Sequence, residues 1–216
     1  MALIAIVISS FLVLTACSSI DPGSYVINQL DAVFKAEFDA ASEDTGDSIE
    51  SYQETRDEML HTFVHYVEDG LGFELSEEQK ERLTDALNNL MLAAQYEVVS
   101  HERVDGNYEV TLSITPIINI RDLEENLDDE EIEEALFEFL ADNGFDMETA
   151  DYEDLDEIME LMIDFMIEFV AIAMEDVAFG DEEEIIVTVI RDTDANRIYV
   201  SDNEFERLIG AIMPVE

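Results

Sequence analysis

The amino-acid sequence predicts an α+β fold in which an antiparallel four-stranded sheet, made of two hairpins, packs against several helices. Apolar residues recur every three to four positions over most of the chain, but the spacing changes to two within residues 96–115. A second pair of short strands is predicted near the carboxyl terminus. Helices and hairpins are thus separated along the chain, which is typical of α+β proteins.

Three helices with apolar faces are predicted before the first hairpin, at about residues 24–41, 47–69 and 77–94. Ser24 is expected to cap the first helix. Gly70 and Gly72 are expected to end the second. The third begins with Ser76-Glu77-Glu78-Gln79, which matches a capping box.

The first hairpin is predicted from strands 96–103 and 108–115, which flank Asp105-Gly106, a dipeptide typical of two-residue turns. Apolar and polar residues alternate along the second strand, so one face of the hairpin should be buried and the other solvated. Strands 185–190 and 197–200 form the second hairpin. We expect the two hairpins to join in one sheet.

Two helices are predicted between the hairpins, at 121–143, ending at Gly144, and at 152–179. Within residues 158–174 the only charged side chains are Glu160, Asp164 and Glu168, spaced by four. This narrow acidic stripe on an apolar cylinder predicts one long buried helix. A membrane span is the disfavoured alternative, because carboxylates are costly in lipid. A last helix, 202–213, is expected to be capped by Ser201.

Charge limits the partners of this chain. It has 55 Asp and Glu against 9 Lys and Arg, a formal net charge of −46. Nucleic acid is excluded as a partner, because affinity for it comes from Lys and Arg that neutralise phosphates. The charge predicts a solvated surface, or partners that are cationic.

The beginning of the chain resembles a bacterial lipoprotein leader. An apolar run over residues 2–14 ends in Leu14-Thr15-Ala16-Cys17, which resembles a lipobox. The run is too short for a spanning helix. We expect a signal peptide at 1–16, a lipidated tether at 17–23 and a single acidic domain at 24–216. Cys17, the only cysteine, would carry the lipid on the extracytoplasmic face of the membrane; the alternative is a buried strand that ends in a cysteine.

Two patterns raise the question of metal binding. His61 and His65 are four residues apart, with Asp57 and Glu68 nearby, a set that suits a transition metal such as Zn²⁺. Exposed surface histidines are the alternative. Residues 192–196 begin like a calcium loop, but Arg197 replaces the required glycine, which favours a hairpin turn.

We find no catalytic constellation and expect no cofactor. Ser100 and His101 are neighbours on opposite faces of a strand, so they cannot form a nucleophile–base pair. The sequence contains no Gly-x-Ser-x-Gly and no phosphate-binding glycine loop. The chain is therefore predicted not to be an enzyme.

The chain resembles a group of lipoproteins of unknown function from Gram-positive gut and anaerobic bacteria, mostly clostridia, and through them the small NTF2-like scaffolds. Besides the leader, four segments carry the resemblance: Asp21-Pro22-Gly23-Ser24-Tyr25-Val26, Ala94-Gln95-Tyr96-Glu97-Val98, Asp105-Gly106-Asn107-Tyr108-Glu109-Val110 and Ile198-Tyr199-Val200-Ser201-Asp202. The resemblance implies a surface location and helices on a sheet, but no activity.

These observations favour a lipid-anchored, non-catalytic module that binds a small ligand or another envelope protein. The first alternative is a surface lipoprotein that binds divalent cations through His61, His65 or clustered acids. An envelope hydrolase is disfavoured, since no activated nucleophile can be assembled from the sequence.

Overall fold

A computed structural model describes residues 20–72, 74–119, 129–145, 155–175 and 177–214. The predicted signal peptide, Cys17 and the first residues of the tether lie outside these ranges. The helices in the described part are α1 (Pro22–Phe34), α2 (Asp39–Thr45), α3 (Ile49–Leu71), α4 (Glu77–Leu92), α5 (Asp129–Asp142), α6 (Leu155–Glu175) and α7 (Asp202–Ile212). The strands are β1 (Gln95–Val104), β2 (Asn107–Thr115), β3 (Glu183–Asp192) and β4 (Arg197–Val200).

The predicted α+β fold is confirmed. The four strands form one antiparallel sheet in the order β1-β2-β3-β4, so the two hairpins join through the pairing of β2 with β3. The turn of the first hairpin places Asp105 (φ 51°) and Gly106 (φ 95°) in the left-handed region that a two-residue turn requires. Along β2, Val110, Leu112 and Ile114 are buried.

The main core lies between one face of the sheet and helices α1, α4, α6 and α7. Its fully buried side chains come from distant parts of the chain, including Leu30 of α1, Leu90 of α4, Leu112 of β2 and Leu208 of α7. The four apolar residues predicted to pack from the last helix are all buried. They are Phe205, Leu208, Ile209 and Ile212.

The single first helix predicted over 24–41 is wrong. Helix α1 ends at Phe34, and the chain turns back through Ala36, which has a positive φ of 55°, to begin α2. The physical reason is packing: Phe38 contacts the small buried cluster of Ala32, Ala41 and Tyr52, which a straight helix would not allow.

The cap of α1 also differs from the prediction. Asp21 is the N-cap, and its Oδ1 accepts a hydrogen bond of 2.9 Å from the Ser24 N–H. Pro22 and Gly23, which the sequence assigned to the tether, are buried in the first turn of this helix. A Cβ atom on Gly23 would lie 3.1 Å from Val98 Cγ1, so glycine permits the close approach of α1 to β1.

The long helix α6 is present, but it is less enclosed than predicted. Ile167 and Met174 are buried, whereas Met162 is 39% exposed and Ile172 55% exposed. Two carboxylates of its acidic stripe are partnered by α4. Gln79 Nε2 donates to Asp164 Oδ1 at 2.6 Å, and Arg82 lies 3.6 Å from Glu168.

Helix α5 is described from Asp129 to Asp142, so the first part of the helix predicted over 121–143 lies outside the described residues. Phe137, predicted on its apolar face, is 44% exposed, whereas Leu140 is buried. Gly144, with a φ of 90°, follows the helix as predicted.

Candidate functional site

Glu68, one of the four predicted metal ligands, has a structural role in this fold. Its Oε1 accepts the Leu75 N–H at 2.9 Å and lies 3.0 Å from Lys80 Nζ, while its Oε2 lies 2.7 Å from His65 Nδ1. These contacts stabilise the connection between α3 and α4. They lower the Glu68 pKa to about 2, chiefly through the hydrogen bond from Leu75.

The other predicted ligands do not complete a metal site with Glu68. Asp57, His61 and His65 are exposed along α3, and only His65 is paired with Glu68. Within the described ranges, no three His, Cys, Asp or Glu side chains are grouped so as to hold a metal ion. Asp57, His61 and His65 therefore lie on a solvent-exposed side of α3, and Glu68, in the last turns of this helix, contacts the segment that leads into α4.

The segment that begins like a calcium loop is a hairpin turn, as the sequence favoured. The Asp192 carboxylate accepts hydrogen bonds from the backbone N–H groups of Asp194 and Ala195, at 3.1 and 2.9 Å. These bonds lower the Asp192 pKa, with the Ala195 bond as the largest cause. Arg197 lies 3.6 Å from the same carboxylate and leads into β4.

A surface groove of about 460 Å³ lies where α1, α2 and α3 meet. Its lining combines carboxylates, amides and apolar side chains from three elements: Asn28, Asp31, Ala36, Glu37, Phe38, Asp39, Ala40, Ile49 and Gln53. We call this feature the α1–α3 groove. Its size is in the range of small-molecule sites, which span about 300–1,000 Å³.

The α1 side of the groove is held in place by hydrogen bonds. Asp31 Oδ1 accepts the Tyr96 hydroxyl at 2.7 Å and lies 3.5 Å from Lys35 Nζ. Lys35 in turn lies over the Tyr96 ring, 4.6 Å from its centroid. Burial and the bond to Asp31 raise the Tyr96 pKa, so this hydroxyl remains a donor.

A polar network joins the three helices that border the groove. The Tyr52 hydroxyl lies 3.1 Å from Gln29 Oε1 and 3.0 Å from Thr45 Oγ1. Asn28 Nδ2 donates to Asp44 Oδ2 at 2.7 Å, and burial raises the Asp44 pKa despite this bond. These contacts join the start of α3 and the end of α2 to α1.

Arg56 has a structural role, as Glu68 does, but no sequence pattern predicted it. It is 9% exposed; its Nε donates to the Val33 carbonyl at 2.9 Å and its Nη2 to Asn88 Oδ1 at 2.6 Å. Val33 is in the last turn of α1, where carbonyls lack helical partners and a cation is favoured. Arg56 thereby joins α1, α3 and α4.

The start of α1 connects the folded domain to the predicted lipidation motif. Leu14-Thr15-Ala16-Cys17 lies outside the described residues, and Asp21 follows Cys17 by four positions. His101 Nε2 of β1 lies 3.5 Å from Asp21 Oδ2. The backbone hydrogen bond from Ser24, together with the charge of His101, lowers the Asp21 pKa.

Comparison with known protein families finds no family model that matches the chain, and comparison with curated proteins finds no match. Among the described residues, no helix combines the length and apolar character that crossing a membrane requires.

The fold is similar to the crystal structure of ycdA from Bacillus subtilis subsp. subtilis str. 168, described there as a candidate lipoprotein. The TM-score is 0.55 and the sequence identity 13%, over 88% of this chain and 55% of that chain. The likeness therefore shows a shared fold, and this chain spans little more than half the length of ycdA. The resemblance to clostridial lipoproteins and to NTF2-like scaffolds remains a prediction.

Proposed function

We propose that this protein is a lipid-anchored, extracytoplasmic and non-catalytic module that binds a small ligand. The observation that carries the proposal is Leu14-Thr15-Ala16-Cys17 at the end of an apolar run, with Cys17 the only cysteine of the chain. The fold shared with a candidate lipoprotein of Bacillus subtilis, a Gram-positive bacterium, supports it.

The position of α1 is compatible with this anchor. Helix α1 begins at Pro22, five residues after Cys17. Five residues span at most about 18 Å, so a lipid on Cys17 would keep the domain near the bilayer surface. The net charge of −46 would repel anionic headgroups, which leaves the acyl chains as the attachment.

The α1–α3 groove supports the binding part of the proposal. It has the volume of a small-molecule site, and its lining offers both apolar contact and hydrogen-bonding groups. An activated nucleophile paired with a base is not found among the groove residues, so we propose a binding role for the groove.

The anchor is tested by the substitution Cys17→Ser in cells fed an alkyne-tagged fatty acid. We expect the wild-type protein to be labelled and to sediment with membranes, and the variant to lose the label. Ser18→Ala is the matched control and should keep both properties. An unlabelled wild-type protein in the soluble fraction would overturn the anchor.

A further inference from the structure

We infer that one end of the sheet, where His101, Arg103 and Arg191 form a cationic patch, faces the bilayer and contacts anionic lipid headgroups. This inference rests on the proposed lipid anchor and names the surface through which the anchored domain meets the membrane. Three observations lead to it: the place of the patch beside the start of α1, the lack of carboxylate partners for its arginines, and the distribution of acidic residues.

The strand register places the three side chains on one face of the sheet. His101 lies opposite Val110, and Arg103 lies opposite Tyr108. Directly opposed residues of antiparallel strands share a face. Val110 is buried in the main core and Tyr108 packs against it, so this is the face that carries the helices. Arg191 is two residues beyond the β3 partner of Tyr108 and lies on the same face, its Cα roughly 12 Å from that of Arg103.

The folded chain begins beside this patch. Asp21, the N-cap of α1, has its Oδ2 3.5 Å from His101 Nε2, and Ile20 packs against the main core. Arg103 is two residues further along β1, a distance of about 7 Å. Cys17 precedes Ile20 by three residues, which span at most about 11 Å. A lipid on Cys17 would therefore hold this end of the sheet next to the bilayer.

The two arginines of the patch are available to an external anion. Both are exposed, and within the described residues neither side chain forms a hydrogen bond or an ion pair. The other Lys and Arg side chains of this part of the chain contact carboxylates or carbonyls. In a chain with 55 acidic residues, free guanidinium groups lie at the one end that the anchor brings to the membrane. A guanidinium group suits a lipid phosphate, because it can donate two parallel hydrogen bonds to its oxygens.

The distribution of acidic residues determines the orientation of the anchored domain. Asp21 and Asp105 are the carboxylates nearest the patch, and the two arginines balance their charge, so the net charge of −46 comes from other positions. Glu102 and Glu109 oppose each other on the other face of the sheet. The anchor fixes the distance from the bilayer, so repulsion cannot release the domain. Repulsion instead turns the acid-rich parts away from anionic headgroups and leaves the patch facing them.

A fluorophore at each end of the sheet tests this orientation. The full-length lipidated protein is labelled through Thr193→Cys, near the patch, or through Leu92→Cys, just before the opposite end of β1, both exposed positions. Lipidation blocks Cys17, so only the introduced thiol reacts. In vesicles with nitroxide-labelled headgroups, made of phosphatidylcholine and phosphatidylglycerol, the label at 193 should be quenched at least about twofold more than the label at 92. This ratio should approach one in phosphatidylcholine alone and in about 1 M NaCl, which screens the headgroup charge.

Matched double variants separate the patch from the general charge of the chain. Arg103→Gln with Arg191→Gln should reduce the quenching ratio at least about twofold, because each arginine near an anionic surface favours that orientation several-fold. Arg82→Gln with Arg207→Gln makes the same charge change at two helix positions that form ion pairs, and it should leave the ratio unchanged. Circular dichroism verifies that each variant is folded.

Equal effects of the two double variants would overturn the inference, as would a ratio that does not depend on phosphatidylglycerol. Flotation of the same samples measures the anchor separately. Protein that floats with both kinds of vesicle but shows equal quenching of the two labels has the anchor and lacks the orientation. Protein that floats with neither kind of vesicle would overturn the anchor, and this inference with it.

Discussion

At the scale of single residues, Glu68 shows how one carboxylate organises a connection between helices. It accepts a backbone N–H from the segment before α4 and contacts a cation at the start of that helix. All of these contacts favour the ionised form, so its pKa of about 2 lies below the ordinary value of 4.5. The stabilisation from Glu68 is therefore present only while the carboxylate is ionised.

The substitution Glu68→Gln should destabilise the protein in a pH-dependent way. The folded-state pKa is depressed, so the contribution of Glu68 is complete above about pH 4.5 and is lost as the pH falls towards 2. The difference in the free energy of unfolding between wild type and variant should be largest near neutral pH. It should shrink over this acidic window, as measured by urea denaturation at a series of pH values.

Glu77→Gln is the control for this experiment. The Glu77 side chain is 98% exposed and lies 3.9 Å from the same lysine, Lys80. Its removal should change stability little at any pH, because exposed ion pairs contribute little. A Glu68→Gln variant whose loss of stability were constant from pH 7 to pH 2 would contradict the assigned role.

At the scale of elements, the two serines Ser76 and Ser201 provide a comparison of helix caps. Ser76 Oγ accepts the Gln79 N–H, and Gln79 Oε1 accepts the Ser76 N–H, which completes the predicted capping box of α4. Ser201 occupies the N-cap of α7, but its side chain makes no capping hydrogen bond, contrary to the prediction.

Ser76→Ala should therefore cost about 1 kcal/mol of stability, because it leaves a helix N–H without its partner. Ser201→Ala should cost less than about 0.5 kcal/mol, since no side-chain bond is lost. Chemical denaturation of both variants measures the difference. Equal losses would mean that the hydrogen bond at Ser76 contributes nothing beyond the conformational preference of serine.

Local sequence patterns predicted two features of this fold correctly, the first hairpin turn and the capping box of α4. The hairpin turn at Asp105-Gly106 and the box at Ser76 depend on neighbouring residues, so their local pattern identified them. The break after Phe34 depends on Phe38 meeting Tyr52, fourteen positions away, and no local pattern contains that contact. The carboxyl-terminal boundary of α1, which tertiary packing sets, was therefore predicted wrongly.

The α1–α3 groove was missed for a related reason. Its carboxylates are three among 55 acidic residues, so composition gives them no distinction. They share one groove with Ile49 and Gln53 of α3 because the chain turns back after Phe34 and packs α2 and α3 against α1. A groove formed by a chain reversal cannot be predicted from local sequence patterns, because these do not predict the reversal.

At the scale of the whole molecule, most Lys and Arg side chains of the described residues contact carboxylates or carbonyls of the protein itself. In the part of the chain that the structure describes, Arg56 is buried between helices, and five other Lys and Arg side chains form ion pairs with carboxylates: Lys35, Lys80, Arg82, Arg197 and Arg207. The remaining acidic residues repel one another across the surface. Compact folding must work against this repulsion, which is long-ranged when salt is scarce.

Salt should therefore stabilise this protein. Between 0.01 M and 1 M NaCl the Debye length falls from about 30 Å to about 3 Å, so repulsion between separated carboxylates is screened. The thermal midpoint should rise, by about 2–4 °C for each kcal/mol of repulsion removed from a domain of this size.

Tetramethylammonium chloride at equal ionic strength should act equally well if screening is the cause, whereas a response to NaCl alone would indicate a bound sodium ion. A midpoint that stays constant in both salts would mean that carboxylate repulsion does not limit the stability of the fold.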